Sequence, residues 1–253
     1  VSVRGAIEER IALMAPSRRL RMALAEQTLG DFAAGRRIRV LDAGCGDGLL
    51  TLALAARHPG WTLTGMDLRE ELLRGARERA TSRGLVNIGF EPADLTRPLP
   101  DSGFDVVMAL ECLSEIPDDR GALRSMTGAL APGGLFVVQV PDRNWKPVLR
   151  ESAGTWREEV RHGYSQGDLG DLLAEAGLEV VAVEPTYRST AAAAQELRDR
   201  VKDRGLILRA SLFPAMLAAV RLERWGLTGG PANALFATAR RSLKGDGNHG
   251  AAL

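Results

Sequence analysis

The sequence predicts an α/β fold built on a doubly wound, mainly parallel sheet. Three observations carry that prediction. Short apolar runs rich in β-branched residues recur along the chain, amphipathic stretches of helical length separate them, and a glycine-rich turn, "DAGCGDG" (Asp42–Gly48), follows the first run. Strands alternating with helices of about 10 to 15 residues join by right-handed crossovers, which gives a parallel sheet covered on both faces.

Taken in order, residues 1–34 are expected to form an N-terminal helical cap. Its helical pattern breaks near Ala15–Ser17, because Pro16 suits a first helical turn and not a helix interior. "IRVLDA" (Ile38–Ala43) reads as a buried strand, and "LLTLALAARH" (Leu49–His58) as a helix stopped by Pro59 and Gly60. "WTLTGMDL" (Trp61–Leu68) is the second strand, "REELLRGARERATSRG" (Arg69–Gly84) an amphipathic helix, and "VNIGFEPADL" (Val86–Leu95) the third strand. "FDVVMALE" (Phe104–Glu111) and "LFVVQVP" (Leu135–Pro141) follow as strands around a helix over Asp118–Gly134. The alternation falters over residues 142–164 and resumes in "SQGDLGDLLAEAGLEVVAVEP" (Ser165–Pro185), with Ser165 placed to cap the helix start and Gly177 its end. Residues 189–225 read as two helices, Asn233–Arg241 as a last strand, and the polar, glycine-rich residues 242–253 as a disordered tail.

Composition narrows the function classes. The chain has 253 residues, 45% of them hydrophobic, enough for one large core. Lys and Arg number 33 against 32 Asp and Glu, so net charge supplies no general attraction to nucleic acid or anionic membrane. Only Cys45 and Cys112 are present, in no metal-ligand spacing, which points to a reducing, cytoplasmic setting without disulfides or a structural metal. The most apolar stretch, Leu206–Trp225, is interrupted by Arg209, Pro214, Arg221 and Glu223, and falls short of the roughly 18 uninterrupted apolar residues of a membrane span.

The glycine turn is the informative motif. Dinucleotide loops follow GxGxxG and set pyrophosphate against a helix N-terminus. Here glycines alternate at 44, 46 and 48, and carboxylates at Asp42 and Asp47 flank them. Two acids repel a pyrophosphate, but they favour a ligand that carries a ribose and a cationic amino-acid end without phosphate, such as S-adenosylmethionine. Asp67, ending the second strand, is placed to accept from both ribose hydroxyls. Asp94, ending the third, is placed to accept from an adenine amino group while Leu95 packs near the ring. All three acids fall at carboxyl ends of strands, where open α/β sheets bind ligands.

With these pieces assembled, the chain resembles the class I S-adenosylmethionine-dependent methyltransferases, in the branch related to ubiquinone and menaquinone biosynthesis. "VLDAGCGDG", "LTGMDL", "EPADL", "FDVVMALECLSEIPD" and "LAPGGLFVVQVP" occur in the family order across residues 36–142, and "YSQGDLGDLLAEAGLEVV" matches the helix and strand that follow. The resemblance implies a Rossmann-like, seven-stranded domain over residues 35–241, with an antiparallel last strand and a helical lid inserted at 185–232. It implies cofactor contacts from Asp42, Ala43, Gly44, Gly46, Asp67, Leu68, Asp94, Leu95, Leu110 and Glu111. One departure stands out: relatives often carry a histidine where this chain has Glu115, so no role transfers from it.

The acceptor side is read from fewer signals. His162 is a candidate general base or a solvent-facing loop residue, and Glu111 and Glu115 either contact the acceptor or are solvated or ion-paired acids. Tyr164 either lines the acceptor pocket or staples the following helix, and Trp145 lies in an Arg/Trp-containing stretch that is either suited to an acidic or glycosidic acceptor or an ordinary exposed loop face. Phe213 and Met216 belong to an apolar set open to three uses: a pocket wall, contact with a second copy, or docking at a membrane surface. The expected activity is O-methylation of a small molecule such as a natural product, a glycan-like compound or a lipid-linked metabolite, with no nucleic acid involved. A protein of this fold that binds the cofactor without transferring methyl, a cyclase or regulatory subunit, is the alternative.

Overall fold

The structure is a computed structural model that describes residues 15–146, 148–149, 162–201, 211–225, 227, 229–230 and 232–243. Seven strands form one sheet: β1 (Arg39–Ala43), β2 (Thr62–Asp67), β3 (Ile88–Pro92), β4 (Phe104–Leu110), β5 (Leu130–Pro141), β6 (Leu178–Arg188) and β7 (Ala232–Arg241). Their order is β3-β2-β1-β4-β5-β7-β6. β1 to β5 pair in parallel, while β7 runs antiparallel to both β5 and β6. The doubly wound sheet with a reversed last strand is therefore the one expected.

The inner strands are apolar throughout because both faces are covered. Leu41, Val107, Phe136 and Val138 pack on one face with α4 (Asp119–Ala129) and α5 (Gln166–Glu175). Val40, Val106, Met108 and Val137 pack on the other with α1 (Pro16–Ala33) and α2 (Leu49–Arg57). α3 (Glu70–Ser82) lies over β2 and β3, closing a smaller cluster around Leu52, Leu73 and Phe90. α6 (Ser189–Val201) and α7 (Phe213–Arg224) follow β6 and pack on each other and on α1. Among the described residues no helix is long and apolar enough to cross a membrane.

Local chemistry explains the boundaries. α1 begins at Pro16, whose missing N–H is harmless at a first turn. α5 starts with a reciprocal capping box, Ser165 accepting from the Asp168 N–H while Asp168 accepts from the Ser165 N–H. Gly177 follows its end at φ 83°. Two expectations shift. The helix expected to run to Gly134 ends at Ala129 and β5 begins at Leu130, since Pro132 cannot donate inside a helix and Gly133 turns left-handed at φ 75°. β3 stops at Pro92, which leaves Asp94 and Leu95 in the turn beyond the strand end.

Candidate functional site

The glycine turn joins β1 to α2, and its three glycines all have positive φ: 74° at Gly44, 56° at Gly46 and 68° at Gly48. They serve different neighbours. A Cβ on Gly44 would lie 2.4 Å from Cys112 Cβ, and one on Gly48 would lie 2.7 Å from the Phe90 ring, so protein packing requires both. A Cβ on Gly46 would meet nothing closer than Arg69 Nη2 at 3.9 Å. Gly46 alone of the three opens its α-carbon to free space.

The acids around this turn differ in state. Asp42 is buried, 3% exposed, and its Oδ2 accepts from Thr51 Oγ1 at 2.5 Å. Burial pushes its carboxyl up to about 6, beyond what the Thr51 bond and the nearby Arg21 charge offset. Asp67 is also buried, but its Oδ2 accepts from the Gly46 N–H at 2.8 Å, and its Oδ1 accepts from Arg69 N at 3.0 Å and Arg69 Nε at 3.1 Å. Burial raises the Asp67 carboxyl, yet the bonds from Arg69 and Gly46 outweigh it, and the net shift is downward. Asp94 holds its own turn, its Oδ1 accepting from Thr96 N at 2.9 Å and Thr96 Oγ1 at 2.7 Å. These bonds lower its carboxyl.

A cavity of about 940 Å³ opens in front of the turn. Asp42, Gly44 and Gly46 form its floor, Leu110 and Glu115 one side, and α1 and α7 the cover, through Arg21 and Met22 and through Leu217 and Arg221. α1 is strapped across it by polar contacts to three distant places. Arg18 donates to Asp47 Oδ2 at 3.0 Å, Arg21 lies 3.6 Å from Glu111, and Ser17 Oγ donates to Gln195 Oε1 at 3.1 Å.

This arrangement coincides with a family match. A family model described as a methyltransferase domain matches residues 7–183. The chain belongs to the S-adenosylmethionine-dependent methyltransferases. The methyltransferase is 32% identical over 180 residues to the trans-aconitate 2-methyltransferase of Methylobacterium radiotolerans, covering 66% of this chain and 67% of that one. It is 30% identical over 214 residues to the enzyme of the same name from Variovorax paradoxus, covering 79% and 81%. In fold it is similar to a putative sarcosine dimethylglycine methyltransferase from Galdieria sulphuraria, with a TM-score of 0.62 at 17% identity over 88% of this chain and 85% of that one.

The structure distributes the other sequence-derived residues of the methyltransferase unevenly. Ala43 and Leu95 are buried in the core, Leu110 is buried at the cavity wall, and Leu68 is 74% exposed. Glu111 follows β4 and accepts from Gln139 Nε2 at 2.7 Å, and Glu115 lines the cavity from a short 3-10 turn.

Of the two uses expected of Tyr164, the pocket use is corrected: it is fully buried in the core, its hydroxyl donates to Asp119 Oδ2 at 3.0 Å, and it ties α5 to α4 away from the cavity in front of the turn. Met216 turns inward against Ala194 and Ala219 between α6 and α7, not toward the cavity. His162 is exposed, and neither it nor Trp145 is among the cavity-lining residues. Phe213 begins α7, and its side chain lies outside the described residues.

Burial pushes both cysteine thiols up beyond their ordinary range, which disfavours the thiolate, and Cys112 Sγ donates to Ala43 O at 3.2 Å.

The arginines of α1 were missed. Their only trace is "SRRLRM" (Ser17–Met22), a basic cluster at the start of a helix, indistinguishable in sequence from a solvated face.

Proposed function

We propose that the methyltransferase methylates an oxygen of a small anionic acceptor, a carboxylate-bearing molecule that enters between α1 and α7. The observation that carries this reading is the charge around the cavity. Arg18, Arg19, Arg21, Arg57, Arg69 and Arg221 line it, outnumbering the acids Glu26, Asp42, Asp47 and Glu115. Burial lowers the pKa of Arg19, and the neighbouring guanidiniums of Arg221 and Arg57 lower it further, so three like charges converge at the cavity rim. Guanidinium groups suit planar carboxylates. The name shared by the two bacterial relatives, trans-aconitate 2-methyltransferase, supports a carboxylate acceptor.

The residues present fit the cofactor. Asp42 is a buried carboxylate whose pKa is raised to about 6, so a fixed cation beside it stabilises its charge, and the open face of Gly46 admits a ligand against the backbone. Asp42, Gly44, Gly46 and Asp67 hold it in this reading, with Leu110 against its apolar surface. The bound cofactor supplies an electrophilic methyl group on a sulfonium. The chain's own part is alignment and exclusion of water, which contribute up to roughly 7 to 11 kcal/mol when reacting atoms are well oriented. A carboxylate needs no base at neutral pH, in keeping with the exposed position of His162. We place the enzyme in the cytoplasm, where its free Cys45 and Cys112 stay reduced.

The test is incubation with S-adenosylmethionine and a panel of trans-aconitate, saturated tricarboxylates, phenols and amines, read by mass spectrometry. A 14-dalton gain on a carboxylate is expected. A gain confined to phenols or amines overturns the anionic reading, and cofactor binding with no gain on any compound favours a non-transferring role.

A further inference from the structure

Of the seven buried polar side-chain atoms without a hydrogen-bond partner among the described residues, three are linked through Glu111: Arg21 Nε, Gln139 Oε1 and Tyr187 Oη. Arg21 lines the cavity and lies 3.6 Å from Glu111 Oε1, the same oxygen that accepts from Gln139 Nε2 at 2.7 Å. The charges of Glu111 and Arg21 both act on the Tyr187 hydroxyl, as do those of Asp199 of α6 and Glu223 of α7. Buried polar groups in folded proteins are nearly always satisfied, so three unpaired atoms linked to one carboxylate point to a missing partner.

The backbone points to the same place. Ala34, Glu111 and Tyr187 are the described non-glycine residues with positive φ; Ala34 ends a helix, whereas Glu111 (70°) and Tyr187 (65°) both belong to this linked set. Left-handed backbone is unfavourable for such side chains and persists where it re-aims them, often at ligand sites.

The polarity of each atom is determined. A Glu111 carboxylate only accepts, so the Gln139 amide nitrogen must face it, and Oε1 is left as an acceptor. Arg21 Nε–H is a donor. Burial pushes the Tyr187 phenol well up, which keeps its proton in place as the second donor.

We infer that Arg21, Gln139 and Tyr187 form an acceptor-orienting subsite that takes a carboxylate with an adjacent hydroxyl. The two donors hold the carboxylate, the hydroxyl donates to Gln139 Oε1, and another oxygen of the same molecule is left for methylation. Glu111 is a positioning residue that sets which end of the Gln139 amide is free. The inference rests on the methyl-transfer reading for its purpose, but the binding chemistry is testable alone.

Calorimetric titration of the intact protein saturated with S-adenosylhomocysteine, using citrate and tricarballylate (citrate without its hydroxyl), reads both halves of the subsite. Citrate is expected to bind about tenfold tighter, the effect of one buried hydrogen bond. Tyr187→Phe is expected to weaken both probes about tenfold while changing S-adenosylhomocysteine affinity less than about twofold, and Gln139→Met to remove the citrate preference. A buried water can also satisfy these atoms, and it predicts equal affinities. Equal wild-type affinity for the two probes, no binding of either, or citrate binding unaltered by Tyr187→Phe overturns the assignment. Failure of the methyl-transfer reading has a separate signature, no S-adenosylhomocysteine binding, and the citrate titration then proceeds on the cofactor-free protein.

Discussion

The two sides of the cavity are built in opposite ways. On the glycine-turn side, the parts come from consecutive elements and their carboxylates are engaged: Asp42 with Thr51, Asp67 with Gly46 and Arg69. On the helical side, the parts come from α1, β4, β5, β6 and α7, and three polar atoms there lack partners. The first side is a preorganised cradle whose shape local chain geometry sets. The second is an assembly that depends on the long-range packing of α1, α6 and α7.

The largest effect should come from attacking the cradle's packing. Gly44→Ala places a methyl against Cys112 at a left-handed position and is expected to destabilise the fold by about 3 kcal/mol, read as a fall in urea midpoint. If Gly46→Ala costs as much, the distinction drawn between a packed and an open glycine fails. Asp67→Ala, which deprives the Gly46 N–H of its acceptor, should weaken S-adenosylmethionine binding by about 2 kcal/mol, roughly thirtyfold, with little change in acceptor binding. A matching loss on the acceptor side would show that the two halves are not separable.

Asp42 sharpens the comparison through pH. Its folded pKa is raised to about 6, so the ionised carboxylate opposes folding at neutral pH, and that opposition disappears as pH falls through about 6 toward the unfolded value near 4. Cofactor binding runs the other way, because the cation needs the ionised form; affinity is expected to fall about tenfold per pH unit below 6. Asp42→Asn should accordingly stabilise the free protein by about 1 kcal/mol, weaken the cofactor and flatten this profile. A profile that stays steep in the variant assigns the titration elsewhere. The smallest effect is expected from Arg18→Ala, which removes a half-exposed ion pair to Asp47 worth less than about 1 kcal/mol, seen as a slight drop in melting temperature.

The same contrast explains what was legible. The alternation of strands and helices, the glycine turn and the placement of Asp42 and Asp67 follow from hydrophobic period and from residues close in sequence. Tyr164 stayed open between two uses because an aromatic residue before a helix looks the same whether it faces a pocket or donates to Asp119, forty-five residues away. Arg21, Gln139 and Tyr187 left no signal, since nothing in one sequence links a helix at the start of the chain to the ends of β5 and β6.

The sequence by itself determined the sheet, its crossovers and the cradle, because periodicity, glycine conformation and strand-end acids act over a few residues and need no distant partner. Only the tertiary structure decided the helical side of the cavity. Its charges and unpaired atoms acquire meaning through which segments pack together, and burial, not residue type, sets both the raised Asp42 carboxyl and the unmet hydrogen bonds around Gln139.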